Sequence, residues 1–240
     1  MWINVKEFEN VMQKATLNYF IDSLQINYNK QNITSKMISS GNEVVTILNL
    51  DNELFKEADK EISLNFSMPK MDVKPYLNLL DEDEYPCKIN KNNIIINKEV
   101  KLYFDDEEII STFKGDGPKD LDYFISFDIN DEFKSKFEKI KKIGHKFGKI
   151  YFTVKENRLF IETMDKTNVY SNGVSFDLEK DFEYEDIVLC FDFSVFVNLM
   201  TILKDEFELK IAYVKEKEGG LIYVKNETLS EQYFLMSMSE

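Results

Sequence analysis

The amino-acid sequence predicts an α+β protein made of two similar halves, each an antiparallel sheet backing two helices. Three observations predict it. The chain has 240 residues, which is room for two domains of the usual size, roughly 100 to 150 residues each. Apolar residues recur at helical spacing near the start of each half. Between the helices, short runs alternate apolar and polar residues, as half-buried antiparallel strands do.

In the first half Val5, Phe8, Val11, Met12, Ala15 and Tyr19 recur with the helical period, and in the second Phe133, Phe137, Ile140, Ile143 and Phe147 do the same. Each helix precedes a hairpin, 23–29 with 33–39 in the first half and 149–154 with 158–163 in the second. A strand follows (62–67; 187–193), then a short apolar helix (72–80; 194–204). Asp72 and Ser194 are the expected caps of those helices, and Pro75 falls early enough to be tolerated. The halves close with strands 85–90, 93–96 and 99–104, and 207–214, 221–225 and 232–238, with Gly219-Gly220 read as a hairpin turn. The order helix, strands, helix, strands thus occurs twice. Between the halves, 105–118 is charged at one end and Gly/Pro-rich at the other, as a surface connector would be. The expected boundaries are 1–108 for the first domain, 109–120 for the connector and 121–240 for the second domain.

Composition narrows the function. With 43% apolar and 14% aromatic residues, 4 Pro and 8 Gly, the chain folds as a globule and is neither disordered nor fibrous. It has no apolar run of about 18 residues, and its start lacks the basic and apolar regions of a signal peptide, so an intracellular protein with no membrane partner is expected. Cys87 and Cys190 stand far apart in apolar runs and read as reduced core thiols. His145 is the only histidine, so there is no His pair for zinc, and no GxSxG, Walker A or GxGxxG sequence occurs. No metal, cofactor or catalytic residue is expected, and the chain is not read as an enzyme. The runs Asp81-Glu82-Asp83-Glu84 and Asp105-Asp106-Glu107-Glu108 read as solvated turns. A metal-dependent nuclease would need such contiguous carboxylates to converge on an ion, which they seldom do.

The net charge is −14, yet residues 131–149 hold seven lysines against Asp131, Glu132 and Glu138. At about 100° per residue, Lys139, Lys142, Lys146 and His145 fall opposite the apolar stripe, with Lys134 and Lys141 at its flanks and Lys149 just beyond. These lysines are read as not interleaved with glutamates in i,i+4 pairs, which favours phosphate contact over a solvated face. Flexible ammonium groups suit contacts that carry no sequence information, and Arg158 is the only arginine. The first helix has a sparser polar face of Lys6, Asn10, Gln13 and Lys14, and Lys74 and Lys204 sit on or near the shorter helices.

The repeated order, with Val5-Lys6-Glu7-Phe8-Glu9-Asn10-Val11-Met12 at the start, Lys36-Met37-Ile38-Ser39-Ser40-Gly41-Asn42-Glu43-Val44-Val45 after the first hairpin and Tyr233-Phe234-Leu235 near the end, resembles the DNA sliding clamps. The likeness is to the tailed-phage and proliferating-cell-nuclear-antigen type and covers residues 3–239. It implies two DNA-clamp domains per chain and a homotrimer closing as a six-domain ring, with the helices lining a central hole. It further implies a processivity factor of DNA replication that encircles duplex DNA, tethers a DNA polymerase and is opened by an ATP-dependent clamp loader. A viral protein of this kind would act in the cytoplasm of an infected host cell. Lys134, Lys139, Lys141, Lys142, Lys146 and Lys149, with Lys6 and Lys14, are then the DNA-contacting residues. Met37, Val44, Ile110, Phe113, Phe234 and Met236 match the pocket that holds a hydrophobic polymerase peptide. Val100, Leu102 and Phe104 on one strand, and Val174, Phe176 and Leu178 on another, match the subunit interface. The competing expectation is a monomeric polymerase accessory factor of the same fold, which binds DNA on one basic face without ring closure.

Overall fold

The computed structural model describes residues 1–29, 32–51, 54–58, 60–68, 70–117, 121, 123–168, 172–181, 187–203, 205–214, 219–226 and 230–238. The chain divides into two compact units, Met1–Gly117 with Glu227–Gln232 and Pro118–Asn226 with Tyr233–Glu240. Among the described residues no helix is long and apolar enough to cross a membrane.

Unit 1 runs β1 (Trp2–Asn4), α1 (Val5–Ala15), β2 (Ser23–Tyr28), β3 (Asn32–Ile38), β4 (Val44–Asp51), β5 (Phe55–Lys56), β6 (Ile62–Ser67), α2 (Lys74–Leu77), β7 (Glu84–Asn90), β8 (Asn93–Ile96) and β9 (Val100–Tyr103), then a 3-10 turn at Glu107–Ile109. One sheet has the order β5-β1-β7-β8-β9, and β6, β2, β3 and β4 lie side by side in a second. Asn4 starts α1, its side chain accepting from the Glu7 amide at 2.9 Å, and Val5, Phe8, Val11, Met12 and Ala15 form the buried stripe. Tyr19 does not continue that stripe. The helix ends at Ala15, where the Thr16 hydroxyl donates to the Met12 carbonyl and accepts from the Tyr19 amide. Leu17, Asn18 and Tyr19 then take left-handed backbone angles, with φ of 49°, 55° and 64°.

The second helix of unit 1 is much shorter than 72–80. It spans only Lys74–Leu77, and its cap is Val73, which offers no side-chain acceptor, rather than Asp72. Pro75 fits the first turn, but Leu79 and Leu80 bond back three residues, to Tyr76 and Leu77, and wind the chain off as a tight turn.

Unit 2 runs β10 (Tyr123–Ile129), α3 (Asp131–Gly144), β11 (Lys149–Lys155), β12 (Arg158–Thr163), β13 (Val174–Asp181), β14 (Ile187–Asp192), α4 (Phe193–Ile202), β15 (Phe207–Val214), β16 (Gly219–Asn226) and β17 (Glu231–Met236). Glu231 and Gln232 of this last strand count with unit 1. The sheets have the orders β13-β12-β11-β14 and β10-β15-β16-β17. Asp192, not Ser194, caps α4, accepting from the Val195 amide at 2.9 Å, so the helix starts one residue before Ser194. Lys204 lies outside the described residues.

The core of unit 2 is a chain of phenylalanine rings. Phe137 meets Phe196 edge-on at 5.3 Å, and Phe152 meets Phe196 at 5.5 Å and Phe191 at 5.6 Å. Gly220 and Gly144 admit close neighbours. Gly219 and Gly220 are not a turn but strand residues opposite Val214 and Tyr213, and a Cβ on Gly220 would lie 2.6 Å from the Leu189 side chain. At Gly144 a Cβ would lie 2.1 Å from the buried Phe193 ring. Gly144→Ala is therefore expected to destabilise the protein by about 1–3 kcal/mol, as overpacking does, read from the urea midpoint. An unchanged midpoint would mean that the Phe193 ring has room to turn aside.

Candidate nucleic-acid interface and partner surfaces

Helix α3 follows the Asn130 side chain, which accepts from the Phe133 amide at 3.0 Å, and buries Phe133, Phe137, Ile140 and Gly144. Its opposite face must then meet solvent. Lys139 and Lys142 are exposed there, Lys146 is exposed in the turn just beyond the helix, and no carboxylate among the described residues holds them. The neighbouring lysines differ. Lys136 bridges Glu132 at 2.8 Å and holds that carboxyl below its ordinary value. Lys141 lies 3.5 Å from Glu138. The expected lack of glutamate pairing along the helix is thus corrected at these two positions, one pair at i,i+4 and one at i,i+3. Lys134 donates to the Asp205 carbonyl at 2.9 Å, and Lys149 is half-buried at the start of β11. Phe147 falls beyond the helix, in a turn closed by the Gly148 amide on the Gly144 carbonyl at 3.1 Å, with Gly148 at φ 67°. His145 sets its ring edge against Phe193 at 5.0 Å.

The first helix contributes less than its lysines suggest. Lys14 is turned inward, its side chain only 13% exposed and 2.5 Å from the fully buried carboxylate of Glu231. It is held in that pair rather than presented to solvent. Lys6 is exposed but bridged to Asp83 at 2.6 Å.

The residues assigned to the partner pocket divide between the units. In unit 1, Met37 and Val44 are fully buried, Ile110 nearly so, and Phe113 half-buried. Segment 111–116 is stitched along β3. A bridge joins Met37 to Thr112, the Phe113 amide donates to the Lys36 carbonyl at 2.9 Å, and the Lys36 ammonium reaches Gly115 and Asp116. Met37 and Val44 are core beneath this strip. The residue that reaches solvent is one outside the expected set, Ile109, 59% exposed at the end of the 3-10 turn. Two adjacent isoleucines in a charged segment are the signal that points to it, since one must turn out when the other turns in.

In unit 2, Phe234 is buried and Met236 half-buried. Phe234 stacks on Tyr223 at 4.8 Å, and Tyr223 on Tyr123 at 5.7 Å. A bulge in β10 makes this possible. The register shifts between Tyr123, opposite Ala212, and Ile125, opposite Ile211, so Tyr123 leaves the core-facing row of Ile125 and Phe127 and joins Lys210 and Tyr223 on the other face. Burial, with Tyr223 beside it, pushes the Tyr123 hydroxyl up. No sequence pattern pairs Tyr123 with Tyr223, because their strands are remote along the chain.

Among the described residues strands β9 and β13 each end a sheet, as edge strands do. The apolar side chains assigned to the interface, however, turn into their own units. Val100 and Leu102 are buried, Phe104 packs on Phe66 at 5.5 Å, and Phe176 packs on Phe133 at 5.5 Å. Val174 and Leu178 are half-buried. The β9 side chains that face outward are Lys101 and Tyr103.

Asp105 is structural. Burial pushes its carboxyl up, but Lys70 and both the amide and hydroxyl of Ser67 outweigh that and hold it below its ordinary value. Among the described residues no three His, Cys, Asp or Glu side chains are grouped to hold a metal ion. Both cysteines are free thiols. Cys190 is buried, and burial pushes the half-buried Cys87 up to about 11.

No protein-family model matches the chain, and no curated protein matches it in sequence. Solved structures do. The protein is similar to PCNA from Thermococcus kodakaraensis, with a TM-score of 0.66 at 17% identity over 99% of each chain. It is similar to A. fulgidus PCNA, solved with the C-terminal region of FEN-1, with a TM-score of 0.67 at 12% identity over 100% of this chain and 98% of that one. Against the DNA polymerase III beta subunit of Thermotoga maritima the TM-score is 0.64 at 15% identity, over 100% of this chain but 65% of the other. The chain has the DNA sliding-clamp fold.

Proposed function

We propose that this chain is one subunit of a trimeric sliding clamp that encircles duplex DNA and tethers a DNA polymerase. The observation that carries the reading is the fold match along essentially the whole length of PCNA, beside only about two thirds of the bacterial beta subunit. The unpaired lysines of α3 in a chain of net charge −14 support it. Head-to-tail contacts between unlike edges generate a ring when the rotation closes, and the edges of β9 and β13 are the proposed partners. They would meet through backbone groups and outward side chains such as Lys101 and Tyr103. The mechanism is topological: once the ring is closed, weak phosphate contacts let it slide, while dissociation requires opening. An ATP-dependent loader would perform that opening, and no step requires catalysis by this chain.

The test is mass across a concentration series, together with retention on circular against linearised DNA. A trimer that stays on circles and runs off linear ends is the expected result. A mass that remains monomeric at high micromolar concentration would overturn ring closure. It would favour the monomeric accessory factor, a reading supported by the inward turn of the Val100 and Leu102 side chains.

The polymerase peptide is proposed to dock on unit 1 at Ile109, Ile110 and Phe113. Because Ile109 is exposed, Ile109→Asp should leave folding unchanged while weakening peptide binding about tenfold, near 1.4 kcal/mol. Titration of the cognate polymerase tail checks this, and wild-type affinity would move the docking point elsewhere.

A further inference from the structure

The helical face of unit 1 carries lysines too, and each is answered by a carboxylate. Lys6 on α1 bridges Asp83 at 2.6 Å, Lys74 on α2 reaches back to Glu9 at 3.0 Å, and Lys14 is paired with buried Glu231. Across α1, residues 72–83 and Glu231, those three lysines stand against seven carboxylates: Glu7, Glu9, Asp72, Asp81, Glu82, Asp83 and Glu231. The row is further tied by Gln13 donating to Glu9 at 3.1 Å and Asn10 donating to Glu7 at 3.2 Å. The Tyr19 hydroxyl reports the sign of the field beside α1. It is pushed up to about 12, first by burial and then by the carboxylates of Glu9 and Asp72. In unit 2, α4 carries no charged residue, and α3 with the turn that follows it carries Lys139, Lys142 and Lys146, which no carboxylate holds among the described residues.

We infer that Glu9 and Asp83 hold Lys74 and Lys6 out of phosphate contact, so that unit 1 presents a net-negative helical face and the α3 region supplies the chain's grip on duplex DNA. The inference rests on the clamp reading and adds to it a division of labour between the two units. A lysine already held by a carboxylate releases no net counterion when a phosphate replaces that partner, because the carboxylate must itself be re-solvated and re-neutralised. A clamp gains from this. Every further bond to phosphate raises affinity but also holds the ring in place, and Glu9 and Asp83 limit the number of such bonds.

The test measures affinity for a linear duplex by fluorescence anisotropy over a salt series, from about 50 to 200 mM. Three proteins are compared: the wild type, Glu9→Gln with Asp83→Asn, and Asp81→Asn with Glu82→Gln. Both double variants remove the same charge, but Asp81 and Glu82 hold no lysine among the described residues. Freed lysines should steepen the slope of log affinity against log salt by about 0.9 each in the Glu9/Asp83 variant, with little change in the control. An unchanged slope in the first variant, or an equal change in both, would overturn the inference. Failure of the wild type to bind linear duplex at all would also overturn the inference, since α3 would then supply no grip, whereas the clamp reading, which is topological, stands or falls on retention by circular DNA.

Discussion

On the proposed clamp reading, changing Lys139, Lys142 and Lys146 together to alanine is expected to flatten the salt dependence of duplex binding and to abolish most of the gain in polymerase processivity, with the oligomeric mass unaltered. All three side chains are exposed and none is held by a carboxylate among the described residues, so their removal takes nothing from the core. The apolar stripe of Phe133, Phe137 and Ile140 stays intact, and alanine is the best helix former, so α3 should persist. Removing one lysine–phosphate interaction lowers the slope of log affinity against log salt by about 0.9, so the three positions account for up to roughly 2.7. Lys136→Ala and Lys141→Ala, which remove lysines already paired with Glu132 and Glu138, should change the slope less. A triple variant with the wild-type slope and undiminished processivity would make Lys139, Lys142 and Lys146 an ordinary solvated face.

The features legible in the sequence are those set by local period and local charge. The stripes of α1 and α3, the hairpins 23–29/33–39 and 149–154/158–163, and the lysine face of α3 all appear where the residue pattern puts them. The features that escape it depend on groups outside any local window. The period of α1 extends on paper to Tyr19, but the Thr16 hydroxyl captures the Met12 carbonyl and the chain turns left-handed without a glycine to announce it. Asp72 and Ser194 are good capping residues by type, yet the caps are Val73 and Asp192. Gly219-Gly220 looks like a turn until Leu189 is seen packed where a Cβ would lie. The aromatic stack on unit 2 requires strand register, a bulge included, and no local pattern encodes register between remote strands.

Lys14→Met is expected to be strongly destabilising although lysine is a surface residue by type, and the reason lies 217 residues away, at Glu231. The Glu231 side chain is fully buried and that of Lys14 is 13% exposed, so neither charge has ready access to water. Desolvating such a pair roughly cancels its attraction, which makes the pair itself a weak source of stability, but removing the ammonium leaves the buried Glu231 carboxylate without this counter-charge, a change that costs up to about 3–5 kcal/mol. The Asn49 amide donates to the Ser230 carbonyl at 3.1 Å, which fixes the backbone beside Glu231 and limits its retreat. Replacing both members, Lys14→Met with Glu231→Leu, should therefore recover most of the loss, because two apolar groups of similar size need no counter-charge. Urea unfolding of the two single variants and the double provides the cycle. A loss below about 1 kcal/mol in Lys14→Met, which is the scale of a solvent-exposed pair, or a double variant no more stable than Lys14→Met, would show that Glu231 finds water or another donor once Lys14 is gone.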